Sequence, residues 1–299
     1  MCSKLKDIVE KEGKNETLFL FYVDILDGCL NINDSKIIQI LRDDFKFEML
    51  LRNFNLKLQL RIRNIKNEVD KYVKIINLLI LEYIIKLYED NNDNVIIQIR
   101  NKFGKPKLKN RNYQFNISDE NGMVCLCIGF NEFKKDNEIG IDLSNPIDIE
   151  NFKLNKLEDF YKNDFKSIFS SNEINQLDKI FNKLNYDDRL LKLSQIWSIK
   201  ESYCKYIGIG ITSGMEKFQF NLIENKLQEI NKINEINGDF LIKSRNIILN
   251  KIDYDYKPLQ ASFKIPDCKI ICSVFGHYKK ICLIKIDAEK IIKEFIYKK

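Results

Sequence analysis

The sequence predicts an α+β fold built as two related lobes, and three observations carry that prediction. Its 299 residues, 44% hydrophobic and 31% charged, suffice for two cores of about 150 residues each without disulfide or metal staples. Strands and helices follow one another in similar order in both halves. A junction falls near residues 131–140, dividing the chain into residues 1–139 and 140–299.

In the first half, Leu18 to Ile25 is rich in Leu, Phe, Tyr and Val and predicts a strand, after which Asp34 to Phe54 reads as helical and charged. Leu58-Gln59-Leu60-Arg61-Ile62 alternates at period two, the pattern of a half-buried strand. Val69 to Leu87 places Ile75, Ile76, Leu79, Ile80 and Tyr83 at helical spacing and predicts a core helix. Val95 to Ile99 predicts a strand ending at Arg100. Gly104-Lys105-Pro106 marks a loop, and Gln114 to Ile117 with Met123 to Phe130 predicts a hairpin.

The second half opens with a short strand at Gly140 to Leu143, and helix resumes from about Leu157. Ser170-Ser171-Asn172-Glu173 forms a capping-box pattern and predicts a helix through Leu184. Tyr186-Asp187-Asp188 starts the next helix, whose stripe of Leu190, Leu193, Ile196, Trp197, Cys204 and Ile207 ends at Gly208. Phe218 to Phe220, Phe240 to Ile242 and Ala261 to Phe263 predict strands. Lys269 to Phe275 and Ile281 to Ile286 predict a final hairpin around Gly276-His277, and Asp287 caps a terminal helix. Residues 221–258, rich in Asn, Lys and Ile, read as an insertion.

A formal net charge of +6 favours anionic partners such as a nucleotide, a polyphosphate or an acidic protein. Basic residues are interleaved with acids instead of forming a concentrated stripe, which disfavours nucleic acid. The eight cysteines lie mostly in apolar runs such as Val124-Cys125-Leu126-Cys127-Ile128 and read as buried free thiols of a reducing compartment. Cys268, Cys272, His277 and Cys282 lack the paired knuckles of a zinc site. No apolar signal core follows Met1, Cys2 excludes myristoylation there, and the apolar run Ile75 to Ile85 is too short to span a bilayer. These features predict a monomeric cytoplasmic protein that does not engage a membrane.

The single histidine, His277, sits in an expected turn, so Ser–His–acid and Cys–His catalysis lack material. Chemistry then falls to carboxylates, Lys, Arg and a metal. Asp142 sits in an otherwise apolar strand start, while Glu201 lies four residues after Trp197 and four before Lys205, so these three share one helical face. If that face meets the Asp142 strand, the two carboxylates could bind one hard cation, with Lys205 and Lys200 near enough to neutralise phosphate oxygens. On spacing alone, a solvated helix face and an isolated strand-end Asp is the commoner explanation of such charges.

Taken together, these segments resemble a known family. Gly140-Ile141-Asp142, followed about 55 residues later by Trp197-Ser198-Ile199-Lys200-Glu201-Ser202-Tyr203-Cys204-Lys205, resembles the two signatures of the Sfp-type 4′-phosphopantetheinyl transferases. Phe169-Ser170-Ser171-Asn172-Glu173 matches the intervening Phe-Ser-x-x-Glu element. Arg100 to Pro106 and Phe115-Asn116-Ile117-Ser118 resemble the coenzyme-binding elements, and Arg61-Ile62 is similar to a helix entry of the eukaryotic, aminoadipate-reductase-activating members.

The resemblance implies a pseudo-twofold arrangement of two similar α/β lobes with coenzyme A in the cleft between them. It implies transfer of phosphopantetheine to a serine of an acidic apo acyl or peptidyl carrier domain, releasing adenosine 3′,5′-bisphosphate, in fatty-acid, polyketide or lysine biosynthesis. Asp142 and Glu201 would bind Mg²⁺, with Mn²⁺ as an alternative. Lys205 and Lys200 would serve the phosphates, and Glu201, directly or through water, would accept the serine proton. Arg61, Arg100, Gly104, Lys105, Pro106, Asn116 and Ser118 would hold the nucleotide end.

Two positions depart from the family pattern. Asp119 stands where many members have His, and a carboxylate there would repel a coenzyme phosphate unless paired or turned away. Ser144 stands where many bacterial members have a further acid, which leaves two carboxylates and water for the metal. The rival reading is an impaired member that binds coenzyme A or a carrier domain without turnover.

Overall fold

The computed structural model describes residues 2–12, 17–29, 31–89, 98–130, 138–152, 156–208, 215–217, 219–222, 227, 234–236, 239–243, 259–266, 268–278 and 280–297. In chain order these form helix α1 (Cys2–Glu12), strand β1 (Thr17–Asp24) and helices α2 (Lys36–Leu41), α3 (Asp44–Leu51), α4 (Leu56–Arg63) and α5 (Glu68–Glu89). Strands β2 (Gln98–Arg100), β3 (Pro106–Leu108), β4 (Gln114–Glu120), β5 (Met123–Gly129) and β6 (Gly140–Ser144) follow, then helices α6 (Pro146–Asn151), α7 (Ser171–Phe181) and α8 (Tyr186–Ile207). Strands β7 (Asn234–Ile236), β8 (Asp239–Lys243), β9 (Leu259–Lys264), β10 (Ile271–Gly276) and β11 (Lys280–Lys285) and helix α9 (Ala288–Ile296) complete the order. The α+β class expected from the sequence is the one observed. Most of the expected insertion at 221–258 lies outside the described residues, as does most of the junction near 131–140.

The strands form a six-stranded sheet in the order β4-β5-β1-β11-β8-β7, a three-stranded sheet β6-β10-β9 and the two-stranded β2-β3. Strand alternation sorts the side chains into layers. On one face of the large sheet, Phe19, Phe21 and Val23 of β1 with Leu126 and Ile128 of β5 pack beneath α5 and α9. On its other face, Leu18, Leu20 and Tyr22 with Cys125 and Cys127 meet Ile141 and Leu143 of β6, Phe263 of β9 and Val274 of β10. The far side of the small sheet sends Phe275 into a third core with Leu177 of α7 and Leu193, Ile196 and Ile199 of α8. The order is therefore helices, sheet, sheet, helices, and among the described residues no helix is long and apolar enough to cross a membrane.

Three expectations are corrected. Leu58 to Ile62 is not a strand but part of α4, because the Asn55 side chain caps the Leu58 N–H and the segment buries only Ile62. The final pair of strands is not a hairpin: β10 pairs with β6 and β9, whereas β11 runs parallel to β1 and antiparallel to β8. The chain changes sheets at Gly276, and Tyr278 and Ile281 are buried between the two. Gln219 and Phe220 are irregular where a strand was expected. The short helix α6 was not anticipated, although Asn145 as its cap and Pro146 in its first turn are ordinary start signals.

The same period-two alternation turns Gly140, Asp142 and Ser144 of β6 away from the sheet–sheet core and toward α8. The two elements meet closely because their facing residues are small. Ser144 Oγ lies 2.6 Å from Ser194 Oγ, and Ser198 Oγ lies 2.6 Å from Ser273 Oγ of β10. A Cβ at Gly140 would overlap the Ser202 carbonyl oxygen and lie 2.5 Å from the Tyr206 nitrogen. Backbone atoms of a buried helix cannot yield, so Gly140→Ala should cost about 3 kcal/mol or more. Urea denaturation of the variant against the parent measures it.

Candidate functional site

Asp142 is the centre of the site. β6 places it 5% exposed at the seam with α8, where its Oδ1 accepts from Lys205 Nζ at 2.6 Å and from Ser118 Oγ at 3.2 Å. Its Oδ2 is buried with no hydrogen-bond partner among the described residues. An orphaned carboxylate oxygen in a dry environment is costly, and burial accordingly pushes the Asp142 carboxyl above its ordinary range despite the lysine.

Glu201 and Lys205, four apart on α8, flank it. Burial first, and then the Asp142 charge, push Glu201 up to about 7. Burial works against the Lys205 ammonium, but Asp142 and Glu201 hold it above its usual value. Lys205 Nζ also donates to Ser118 Oγ at 3.1 Å. Two further acids surround the group. Glu120 is pushed up to about 8 by burial, by a hydrogen bond shared with Asp148 of α6 and by the charges of Asp142 and Asp119. Asp119 is exposed and accepts a short hydrogen bond from Asn77 of α5. The cluster thus holds more negative than positive charge, and its donors are all oxygen.

That donor set fits a hard divalent cation. No group of three or more His, Cys, Asp or Glu among the described residues is arranged to hold a metal, so a cation at Asp142 and Glu201 would need non-protein oxygens as well. Ser144 adds no ligand, since its hydroxyl is bound to Ser194. The Cys and His set considered for zinc is dispersed: Cys272 points into the sheet–sheet core, Cys282 into the helix-covered one, and His277 Nε2 lies 3.1 Å from the Tyr206 hydroxyl.

Lys200 occupies different surroundings from Lys205. Five residues along a helix is a rotation of about 140°, and Lys200 is accordingly buried in the third core. Its Nζ lies 2.7 Å from Glu173 Oε2 and donates to the carbonyls of Ile168 at 2.7 Å and Met215 at 3.1 Å. Burial pulls its pKa down, with Glu173 opposing. Glu173 completes the expected capping box by accepting from Ser170 N, and its Oε1 accepts from Phe220 N. One buried ion pair therefore joins the start of α7, the middle of α8 and the segment at 215–222.

The residues expected at the nucleotide end fall into three groups. Asn116 and Ser118, alternate residues of β4, accept from the Ile141 and Leu143 N–H groups and stitch the edge of the large sheet to β6. Arg100, Gly104, Lys105 and Pro106 belong to the β2–β3 hairpin, where Arg100 Nη1 donates to the Gly104 carbonyl at 2.6 Å and Gly104 takes a φ of +89°. Lys105 is 9% exposed and its Nζ is engaged by Glu138 and by the carbonyls of Ile139 and Tyr206. Arg61 lies exposed in the last turn of α4.

A family model described as the 4′-phosphopantetheinyl transferase superfamily matches residues 146–248, a span that includes Glu173, Lys200, Glu201 and Lys205. Over that span the chain is similar to this superfamily. It is similar to the L-aminoadipate-semialdehyde dehydrogenase-phosphopantetheinyl transferases of Saccharomyces cerevisiae and Candida glabrata. The first is 28% identical over 189 residues, 62% of this chain and 64% of the relative; the second is 27% identical over 238 residues, 75% and 84%. It is also similar to the 4′-phosphopantetheinyl transferase gsp of Aneurinibacillus migulanus, 26% identical over 177 residues, 59% of this chain and 65% of that protein. The aligned regions thus span just under two-thirds of the yeast relative from S. cerevisiae and of the bacterial one.

Several residues around the site carried no functional signal in the sequence. Glu120 was legible in principle, because it continues the Asn116, Ser118 face of β4 at period two toward α6. Asn77 and Glu138 carried no local signal, and Asn101, although inside the Arg100 to Pro106 element, was not singled out; the packing of distant elements brings all three to the site.

Proposed function

We propose that the protein transfers 4′-phosphopantetheine from coenzyme A to a serine of an apo acyl or peptidyl carrier domain, releasing adenosine 3′,5′-bisphosphate. The observation that carries the proposal is the orphaned, buried Oδ2 of Asp142 beside Glu201 and Lys205. A buried polar atom of this kind calls for a bound water, an ion or a catalytic contact, and the last two fit the acidic cluster around it. The two yeast relatives carry the name of an aminoadipate-semialdehyde dehydrogenase, so a carrier domain of that enzyme class is the first substrate to try. The net positive charge suits both an acidic carrier and the coenzyme. The chain is read as two α/β lobes, 1–139 and 140–299, in a pseudo-twofold relation with the coenzyme between them, β11 and α9 returning to the first.

Asp142 and Glu201 would hold Mg²⁺, whose chemistry here is to neutralise charge on the coenzyme pyrophosphate. Glu201, directly or through water, accepts the proton of the carrier serine as its hydroxyl oxygen attacks the phosphorus bearing pantetheine. A new O–P bond forms, the pyrophosphate P–O bond breaks, and its electron pair leaves on adenosine 3′,5′-bisphosphate. The Lys205 ammonium, held charged by its acidic neighbours, balances that departing phosphate. The Arg100–Pro106 turn serves the nucleotide end, with Ser118 and Asn116 fixing β6 against β4. All three charged groups of the reaction are present together, which favours turnover over mere binding.

The proposal is tested by following adenosine 3′,5′-bisphosphate by chromatography. Its release should require coenzyme A, Mg²⁺ and an apo carrier together; release independent of the carrier, or none with any carrier, contradicts the reading. Asp119 is turned to Asn77 and does not serve phosphate, so Asp119→Asn should change the coenzyme KM by less than about threefold.

A further inference from the structure

The C-terminus of any helix leaves carbonyl groups without intrahelical donors. In α8 these carbonyls lie directly beyond Glu201 and Lys205, and two are satisfied from the opposite half of the chain. Asn101 Nδ2 donates to the Gly208 carbonyl at 3.3 Å, and Lys105 Nζ to the Tyr206 carbonyl at 3.2 Å. Gly208 itself takes a φ of +72°, and a Cβ there would lie 3.1 Å from Asn101 Nδ2 and 3.5 Å from Lys105 Cδ. The turn at 100–106 therefore seats directly on the helix end.

Both residues are also fixed within their own turn. Asn101 Oδ1 accepts from the Phe103 and Lys105 N–H groups, both at 2.9 Å, and its backbone N–H donates to the Lys105 carbonyl at 3.0 Å. Lys105 Nζ donates to the Ile139 carbonyl at 2.9 Å and lies 2.6 Å from Glu138 Oε2, with its side chain 7% exposed. Glu138 also binds Lys107 on the same hairpin. An ammonium so enclosed has three acceptors already and is covered from solvent, whereas Phe103 at the tip of the turn is 53% exposed and Arg100, Lys102 and Gly104 are exposed beside it.

We propose that Asn101 and Lys105 are positioning residues that cap the C-terminus of α8 in trans and so fix the Arg100–Pro106 turn against the helix bearing Glu201 and Lys205. Lys105 then acts through the turn it anchors and not as a direct phosphate ligand, while the exposed Arg100 and Lys102 are left to meet the ligand. What the turn holds rests on the coenzyme reading above; the capping itself does not.

The test uses the full chain with Asn101→Ala and Lys105→Met, each followed by amide hydrogen exchange without ligand and by calorimetric titration of coenzyme A with Mg²⁺ at several salt concentrations. Exchange at residues 101–105 and in the last turn of α8 should quicken about tenfold in both variants, because loosening a capped terminus exposes its amides. Coenzyme affinity should fall about tenfold with unchanged salt dependence, and kcat should stay within about threefold because Lys205 keeps Asp142 and Ser118. Unchanged exchange in Asn101→Ala overturns the proposal, as does a Lys105→Met variant that exchanges normally while losing salt dependence, the mark of a direct phosphate contact. If the parent itself binds no coenzyme A, the coenzyme reading fails, and the exchange rates alone decide for or against the cap.

Discussion

Glu201→Gln and Asp142→Asn should each lower carrier modification by about 10²–10⁴-fold while leaving the fold intact. The two side chains differ in what else they do. Asp142 is tied to Lys205 and Ser118, so its neutralisation also releases the lysine. Among the described residues Glu201 is raised chiefly by burial and by Asp142, and its loss removes a source of strain. The folded value of about 7 lies above the ordinary 4.5, so the folded state binds the extra proton between these pH values. Stability contributed by the protonated form is therefore lost as pH rises through that window. Glu201→Gln should then be more stable than the parent at pH 8 by about 1–3 kcal/mol, with the difference vanishing near pH 4. Urea denaturation at the two pH values, beside activity, checks both halves. Full activity in Glu201→Gln sinks its assignment; a variant less stable than the parent at pH 8 sinks the electrostatic account.

Lys200→Met should cost about 3–5 kcal/mol, on the order of 10 °C in melting temperature. Lys200 and Glu173 are 1% and 0% exposed at the side chain, and removal of the ammonium leaves a carboxylate charged and dry. Adding Glu173→Leu should not restore stability. Glu173 also accepts from Ser170 N and Phe220 N, and both backbone donors would lose their partner. Neither substitution touches Asp142, so the fraction of the double variant that remains folded should retain coenzyme A binding. A Lys200→Met protein of parental stability that no longer binds coenzyme A would show instead that Lys200 serves phosphate, as its neighbourhood in sequence suggested.

Lys200 illustrates what was and was not legible in the sequence. Its place beside Glu201 suggested shared chemistry, but adjacent residues on a helix point about 100° apart, and the burial of this one depends on α7 and on residues 215–222. Strong local signals survived folding: the capping box at Ser170, the stripe of α8 ending at Gly208, the long apolar helix α5 and the β4–β5 hairpin all appear where expected. What failed were inferences about partners. The runs around Gly276 are strands, yet β11 pairs with β1 from the far end of the chain, a choice no local pattern encodes. Period-two alternation at Leu58 to Ile62 was overridden by one Asn cap.

The site divides in the same way. The i,i+4 spacing put Glu201 and Lys205 on one helical face, but it was the ordered family-like motifs around Asp142 and Glu201 that singled these residues out. Glu120, Asn77 and Asn101 act through β4, α5 and the β2–β3 turn, and their meeting with α8 or with its acidic neighbours is a property of the packed molecule.

The central claim, that the orphaned Asp142 carboxylate beside Glu201 and Lys205 marks a phosphopantetheinyl transfer site, is tested most directly by intact-mass measurement. An apo carrier domain is incubated with the protein, coenzyme A and Mg²⁺. A single phosphopantetheine adduct on the carrier, absent when its acceptor serine is replaced by alanine and absent with Asp142→Asn, is the predicted result. Carriers of the aminoadipate, fatty-acid and polyketide classes all left unmodified, or an adduct that persists with Asp142→Asn, would contradict it.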